Sequence, residues 1–463
     1  MRRIAREGPR WLLLGTLVYA PWAYGSTNPE TINVLNLLLG GVLLWWAARL
    51  ALERRKPRIP SALLVVGGLI LVTGWWMVIN ASAIYDSEFE IFARLHRSFD
   101  FLPGSIDRII SATWMLRATL LLGCIWFVAD LVTRPEWLLR LWYTIGAAGA
   151  SIALLGLLQK GSGAKMIFWQ QGDWPESTYF FATYYYHANA GAFLNLILPV
   201  VAGLAWRAIH QPHARRQRAI WINAFVLVLV AVFSNTSRMS QFIGALTLIA
   251  LSIGFAKPMR RAWAKAERLP VILGVVAVAV AILAVAQASH LDRGLKRWEL
   301  FSRELPENDR WLAAKAAMEG VPDAGWFGFG PGTFRAVFPH YGDAAHPPLD
   351  GYWEVLHNDY LQTLLEWGVI GSILWSIVFL GGISAAISLL PRSQLLSSRW
   401  RLILPLLIVA LVGVALHSAV DFPLQIASIQ LYVATYVGVC WGSAGATAAA
   451  DPRGAKLQPT TTR

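Results

Sequence analysis

Only 14% of the 463 residues are charged, and only two are cysteine. A soluble globular domain carries about 25% charged residues, so a water-facing surface of ordinary composition is excluded. Cys124 and Cys440 both lie in apolar stretches. No disulfide framework or metal-binding spacing can be built from them, and they read as small buried hydrophobes. Acidic residues are scarcer than basic ones, 27 against 40, for a net charge of +13. That excess could suggest nucleic acid, but most of it falls in short connections between apolar runs, where lipid topology accounts for it. No nucleic-acid partner is expected. The mid-membrane portions nearly lack carboxylates, which weighs against ion-coupled transport. Internal repeats are absent as well.

What fills the chain is apolar: 56% of it is hydrophobic, and many runs reach the roughly 17–25 residues that span hydrocarbon. Length alone would suggest about three soluble domains; the runs override that expectation. The pattern predicts an all-α fold, a polytopic membrane helix bundle. Its spans fall near 11–26, 32–51, 61–80, 110–131, 137–158, 184–206, 219–235, 239–256, 269–287, 361–389, 402–417 and 423–443. The run 361–389 holds Gly368, Gly371, Gly381 and Gly382, so it either tilts or bends near a glycine. The basic stretch Met1–Arg10 precedes an apolar run as in a signal peptide, but no small-residue cleavage site follows cleanly, and a retained first helix is expected. Alternate connections, beginning with the N-terminus, carry most of the 40 Lys and Arg, which puts both termini in the cytoplasm.

The expected organisation is helices 1–9 over 1–287, a large outer loop over 288–360, helices 10–12 over 361–443, and a disordered cytoplasmic tail over 444–463. The large loop is rich in aromatics, among them Trp311, Trp326, Phe334, Tyr341 and Trp353, where a disordered segment would be poor in them. Asp309–Glu319 reads as a short helix with Asp309 as its N-cap. This loop and a smaller one, 81–109, are expected to form a helical cap on the outer face.

Four places carry side chains suited to chemistry. His357 opens HNDYLQTLLEWGVIG (357–371), where the large loop returns to the membrane. It could take a proton from a hydroxyl nucleophile; the alternative is an interfacial histidine bonded to loop backbone. Within the same stretch, Tyr360 is a candidate contact, and Asp359 and Glu366, seven apart, share a helix face. Glu366 is out of phase with His357, and inside a span it is either functional or paired with an arginine. Arg238, in SNTSRMSQF (234–242), sits at an outer turn where Ser237 or Thr236 can cap the next helix. A guanidinium beside a helix N-terminus suits phosphate, unless the arginine only snorkels to the interface. Arg310 stands at the start of the loop helix, and Arg117 lies about two turns inside the fourth span, where it should face a polar cavity or a carboxylate. GFGPGTF (328–334) is either an anion-binding backbone nest or simply a turn.

These motifs together resemble the O-antigen ligase / O-antigen polymerase family of bacterial inner membranes. SNTSRMSQFIGAL resembles its Ser-Arg segment, DRWLAAKAAMEGVPDAGWFGFGPGTF its loop helix and Gly-rich turn, HNDYLQTLLEWGVIG its His-Asn-x-x-Leu motif, and HSAVDFPLQI (417–426) its late Asp-Phe-Pro segment. The resemblance implies a glycosyltransferase of the lipopolysaccharide and polysaccharide pathways, independent of metal or other cofactor. Such an enzyme moves a glycan from an undecaprenyl diphosphate carrier to a hydroxyl of lipid A-core, another glycan or a protein. It implies that Arg238 and Arg310 hold the diphosphate and that His357 activates the acceptor or stabilises the leaving group. It also implies a site on the periplasmic side of the inner membrane. Polymerase and protein-glycosylating activities are rivals within the family, and a flippase of lipid-linked sugars is a rival outside it.

Overall fold

The computed structural model describes residues 2–86, 88–89, 91–170, 180–211, 214–265, 309–345, 349, 351–392, 394 and 396–445. The expected span 269–287, the first third of the large loop and nearly all of the tail lie outside the described residues.

Helices α1 to α8 are Arg2–Trp22, Pro29–Leu52, Ser61–Ile79, Arg108–Leu131, Pro135–Gly161, His187–Ile209, Arg215–Ser234 and Arg238–Lys265. After the undescribed stretch come α9 (Asp309–Glu319), α10 (Val321–Ala324), α11 (Phe334–Ala344), α12 (Asp359–Ile387), α13 (Ser398–Ser418) and α14 (Ala427–Gly442). Among the described residues nine helices, α2 to α8, α12 and α13, are long and apolar enough to cross a membrane. Helices α1 and α14 coincide with two further expected spans, though α14 has only 16 residues. The fold is an all-α polytopic bundle. One small departure is an antiparallel hairpin of Ala83–Asp86 with Ile91–Arg94, inside the shorter loop. Its alternating β-branched and aromatic residues suit a short strand pair.

Helix α14 runs through the middle of the bundle, packed mainly against α4 and α12. It is apolar on every side, as a fully enclosed helix must be, and its tyrosines still find partners. Tyr432 donates to the Leu17 carbonyl of α1 at 2.8 Å, and Tyr436 to the Leu196 carbonyl of α6 at 3.0 Å. Helices α9 to α11 form a satellite with its own small core of Ala313, Ala317, Phe334, Phe338 and Tyr341, joined to Leu365 of α12. The two loops meet: Ile106 N donates to Phe329 O at 2.9 Å, and the Ser111 hydroxyl to Pro331 O at 2.9 Å.

The bend expected in the 361–389 run falls at Gly368 (φ 62°, ψ −168°), which interrupts α12. A break frees backbone groups that hydrocarbon cannot satisfy. The Gly-rich segment supplies partners. Phe329 N donates to Leu365 O at 2.9 Å, Gly330 N to Glu366 O at 3.0 Å, and Ile370 N to Trp326 O at 3.0 Å. This pairing requires the two backbones to touch. A Cβ built on Gly368 would lie 2.4 Å from Gly328 N, and its positive φ disfavours any L side chain. Gly368→Ala should therefore destabilise the protein by about 2 kcal/mol. A melting temperature in detergent within about 1 °C of wild type would contradict this account of the break.

Candidate active site

Asp421 lies in the short connection between α13 and α14, and its carboxylate is almost fully buried. Oδ1 accepts from His357 Nδ1 at 3.0 Å and from Phe422 N at 3.1 Å. Oδ2 faces Arg310 Nη1 at 3.7 Å and accepts from the Tyr186 hydroxyl at 3.5 Å. Arg310 Nη2 in turn donates to that hydroxyl at 2.5 Å. Phe422 stacks on Tyr186 (centroids 5.6 Å apart, planes at 8°) and meets the His357 ring edge-on at 4.8 Å. Trp353 closes another side of the imidazole at 6.1 Å. Arg310 remains partly exposed (44%) and His357 less so (20%).

The sequence around His357 explains why the ring is held there. Asn358 caps α12 by accepting from Leu361 N at 3.0 Å, and its amide donates to Ala419 O at 3.1 Å. The Asp359 carboxylate accepts from Leu424 N at 2.9 Å and Gln425 Nε2 at 3.0 Å. The Tyr360 hydroxyl donates to Ala415 O at 2.5 Å. Four successive side chains thus tie the start of α12 to residues 415–425, and the imidazole meets Asp421 as a result.

Of the three residues expected to act together, His357 and Arg310 converge on one carboxylate. Arg238 begins α8 in the adjoining segment. Ser237 caps that helix by accepting from Ser240 N at 3.3 Å, and Asn235 donates to the carbonyl of His187, the residue after Tyr186, at 2.7 Å. Arg117 stands apart. It is buried in α4 with its guanidinium 4.8 Å over the Trp114 ring, and no carboxylate pairs with it among the described residues. Glu366 points away from the cluster: its carboxylate accepts from Gly332 N at 3.0 Å, Phe334 N at 3.3 Å and Gln362 Nε2 at 3.0 Å. The Gly-rich stretch does offer backbone N–H groups to a carboxyl group, and that carboxyl is the protein's own.

Asp421 and Tyr186 were not singled out from sequence. For Asp421 a signal existed, a carboxylate between two apolar runs in the Asp-Phe-Pro segment. For Tyr186, one of three consecutive tyrosines, nothing in the sequence marked it. His417, at the end of α13, is also buried, with neither ring nitrogen hydrogen-bonded among the described residues.

Burial would raise the Asp421 pKa, but the His357 hydrogen bond and the charge of Arg310 outweigh it and hold the carboxyl below its ordinary value. An anionic Asp421 assigns the proton of His357 to Nδ1 and leaves Nε2 as the basic nitrogen. Burial and the negative charge of Asp421 push the Tyr186 hydroxyl up to about 12, so it stays a donor at neutral pH. The cluster can therefore accept a proton at one point and hold negative charge at another, a few ångströms apart.

Residues 223–376 match a family model described as O-Antigen ligase. The similarity covers about a third of the chain. No curated protein matches the chain. The matched segment contains Ser237, Arg238, Arg310, His357, Asp359, Tyr360 and Glu366. Arg117, Tyr186 and Asp421 lie outside it, so the cluster is assembled from the matched segment and from connections on either side of it, Tyr186 before α6 and Asp421 between α13 and α14.

Because Asp421 is depressed in the folded protein, its stabilising contribution is complete above the unfolded carboxylate value of about 3.9 and is lost as pH falls through the lower folded value. The melting-temperature gap between wild type and Asp421→Asn should hold from pH 8 down to about 4 and close only below that. A gap that vanishes between about pH 6 and 7 would show that Asp421 is not held as an anion.

Proposed function

We propose that this protein transfers a glycan from an undecaprenyl diphosphate carrier to an acceptor hydroxyl, at the periplasmic side of the bacterial inner membrane. Both termini and the basic connections then lie in the cytoplasm, and α9 to α11 form part of an outer cap. The observation that carries the reading is the meeting of His357 and a partly exposed Arg310 on the buried Asp421 carboxylate, within and beside a segment of the O-antigen ligase family.

In this reaction the acceptor oxygen attacks the anomeric carbon from the face opposite the diphosphate. The carbon–oxygen bond to the diphosphate breaks, and its electron pair stays on the phosphate oxygen. His357 Nε2 takes the acceptor proton, and Asp421 stabilises the imidazolium that forms. Arg310, joined by Arg238 from the start of α8, neutralises charge growing on the leaving diphosphate. The configuration at the anomeric carbon inverts. The aromatic side chains around His357, namely Trp353, Phe422 and Tyr186, offer flat surfaces for a sugar ring. Ligation to lipid A-core is the reading adopted here. Polymerisation would use the same chemistry with a different hydroxyl.

With purified protein, carrier-linked glycan and acceptor, His357→Ala and Asp421→Asn should each lower the transfer rate by about 10²–10⁴-fold. Arg310→Ala and Arg238→Ala should abolish detectable transfer while membrane insertion persists. Full activity in Arg310→Ala would remove the diphosphate role, and glycan translocation without a new glycosidic bond would replace the enzyme with a flippase. Since the guanidinium groups supply the positive charge, transfer should continue in EDTA; activity lost there and restored by a divalent ion would overturn the metal-free route.

A further inference from the structure

The opposite end of the bundle carries a second concentration of arginines that the transfer chemistry does not use. Helix α1 leads from it toward the candidate site: its last residue, Trp22, precedes Tyr24, which stacks on Tyr185 at 5.7 Å. From Arg10 to Trp22 is about 18 Å of helix. A cleft at the Arg10 end is lined by Arg10, Arg49, Glu53, Arg55, Asp130 and Arg134. Two of its arginines are neutralised. Arg49 pairs with Glu53 one turn away, and Arg55 grips Asp130 through Nη1 at 2.8 Å and Nη2 at 2.5 Å. The buried Asp130 is further held by Arg58 N at 2.9 Å and Trp46 Nε1 at 3.3 Å.

Arg10 and Arg134 form no ion pair among the described residues, although Asp130 and Glu7 lie near enough to act on Arg10 through space. Arg10 lies over the Trp137 ring at 5.3 Å, and Arg140 lies over that ring at 4.5 Å and over Trp11 at 5.1 Å. Stacking fixes the guanidinium planes but satisfies few of their N–H groups. Nη1 of Arg10 and Nη1 of Arg140 are both buried without an acceptor. A buried guanidinium donor left unbonded is costly, and a bidentate oxyanion is its natural complement.

We infer that this cleft binds the phosphate of an anionic phospholipid in the leaflet opposite the candidate active site. The cavity measures about 20 Å³, room for one or two oxygen atoms and not for a whole phosphate group. The phosphorus and its ester chains therefore stay outside, where Trp11, the half-exposed residue after Arg10, can meet them. A tryptophan at the headgroup level and arginines reaching an anionic leaflet are the expected neighbours of such a lipid. The cleft joins α1, α2, α4 and the start of α5, so an occupant would tie together helices that otherwise present like charges to one another.

The test is thermal stability of the purified full-length protein in detergent, titrated separately with phosphatidylglycerol, phosphatidylcholine of the same chains, and inorganic phosphate. Phosphatidylglycerol should raise the melting temperature, with little effect of the other two. Its apparent affinity should weaken about fivefold for each of Arg10→Gln and Arg134→Gln, while the exposed pair Arg215→Gln and Arg216→Gln leaves it unchanged. An equal shift from phosphatidylcholine, or an equal shift from inorganic phosphate, would overturn the lipid assignment without any variant having to fold. Equal weakening by the Arg215 and Arg216 changes would reduce the cleft to general attraction between a basic face and an acidic leaflet, and would also overturn it.

Discussion

A carboxylate removed from water must be compensated or protonated, and the arrangement of this end of the bundle follows from how Asp421 is compensated. Three side chains from three separate regions reach it: an imidazole from the segment before α12, a guanidinium from α9 and a phenol from the segment before α6. No two of these are neighbours in sequence. The imidazole is positioned by packing contacts of its neighbours, Asn358 on Ala419 and Tyr360 on Ala415. The buried charge thus converts ordinary helix packing into a defined geometry for an imidazole and a guanidinium.

The same physical rule operates a few turns lower. Where α12 breaks at Gly368, the released peptide groups are met by the backbone of residues 326–330, and the Glu366 carboxylate is met by two further backbone N–H groups. Polar groups inside an apolar bundle are tolerated when they find partners within the protein. Asp359, Glu366 and Asp421 are three such carboxylates in the region, and only Asp421 faces ionisable partners on the exposed side.

Much of the bundle was legible because hydrophobic run length is a strong signal in a membrane protein. Eleven helices lie on expected spans, and Asp309–Glu319 was read from its residues alone. The bend in 361–389 was expected, but sequence could not say which glycine would carry it, since the choice depends on the approach of residues 326–330. The hairpin in the 81–109 loop was missed because each strand is only four residues long. For the candidate site, His357 just before α12 and Arg310 in the first turn of α9 were singled out by motif. The role of Asp421 was not, because its importance comes from what surrounds it in space. Asp359 and Glu366 look alike in sequence, as acids on one helix face, and their partners turn out to be backbone amides and glutamines.

The latch between Glu366 and the Gly-rich segment is read through main-chain amides, and this sets an unusual pattern of tolerance. Replacing the side chain of Phe334 leaves its N–H in place, so composition there is constrained only by packing in the small satellite core. Register is constrained absolutely: one residue inserted between Gly328 and Phe334 would present a carbonyl or an empty space where the carboxylate now finds a donor. Evolution of this stretch should therefore conserve its length more strictly than its letters, apart from the glycines that let the two strands of backbone touch.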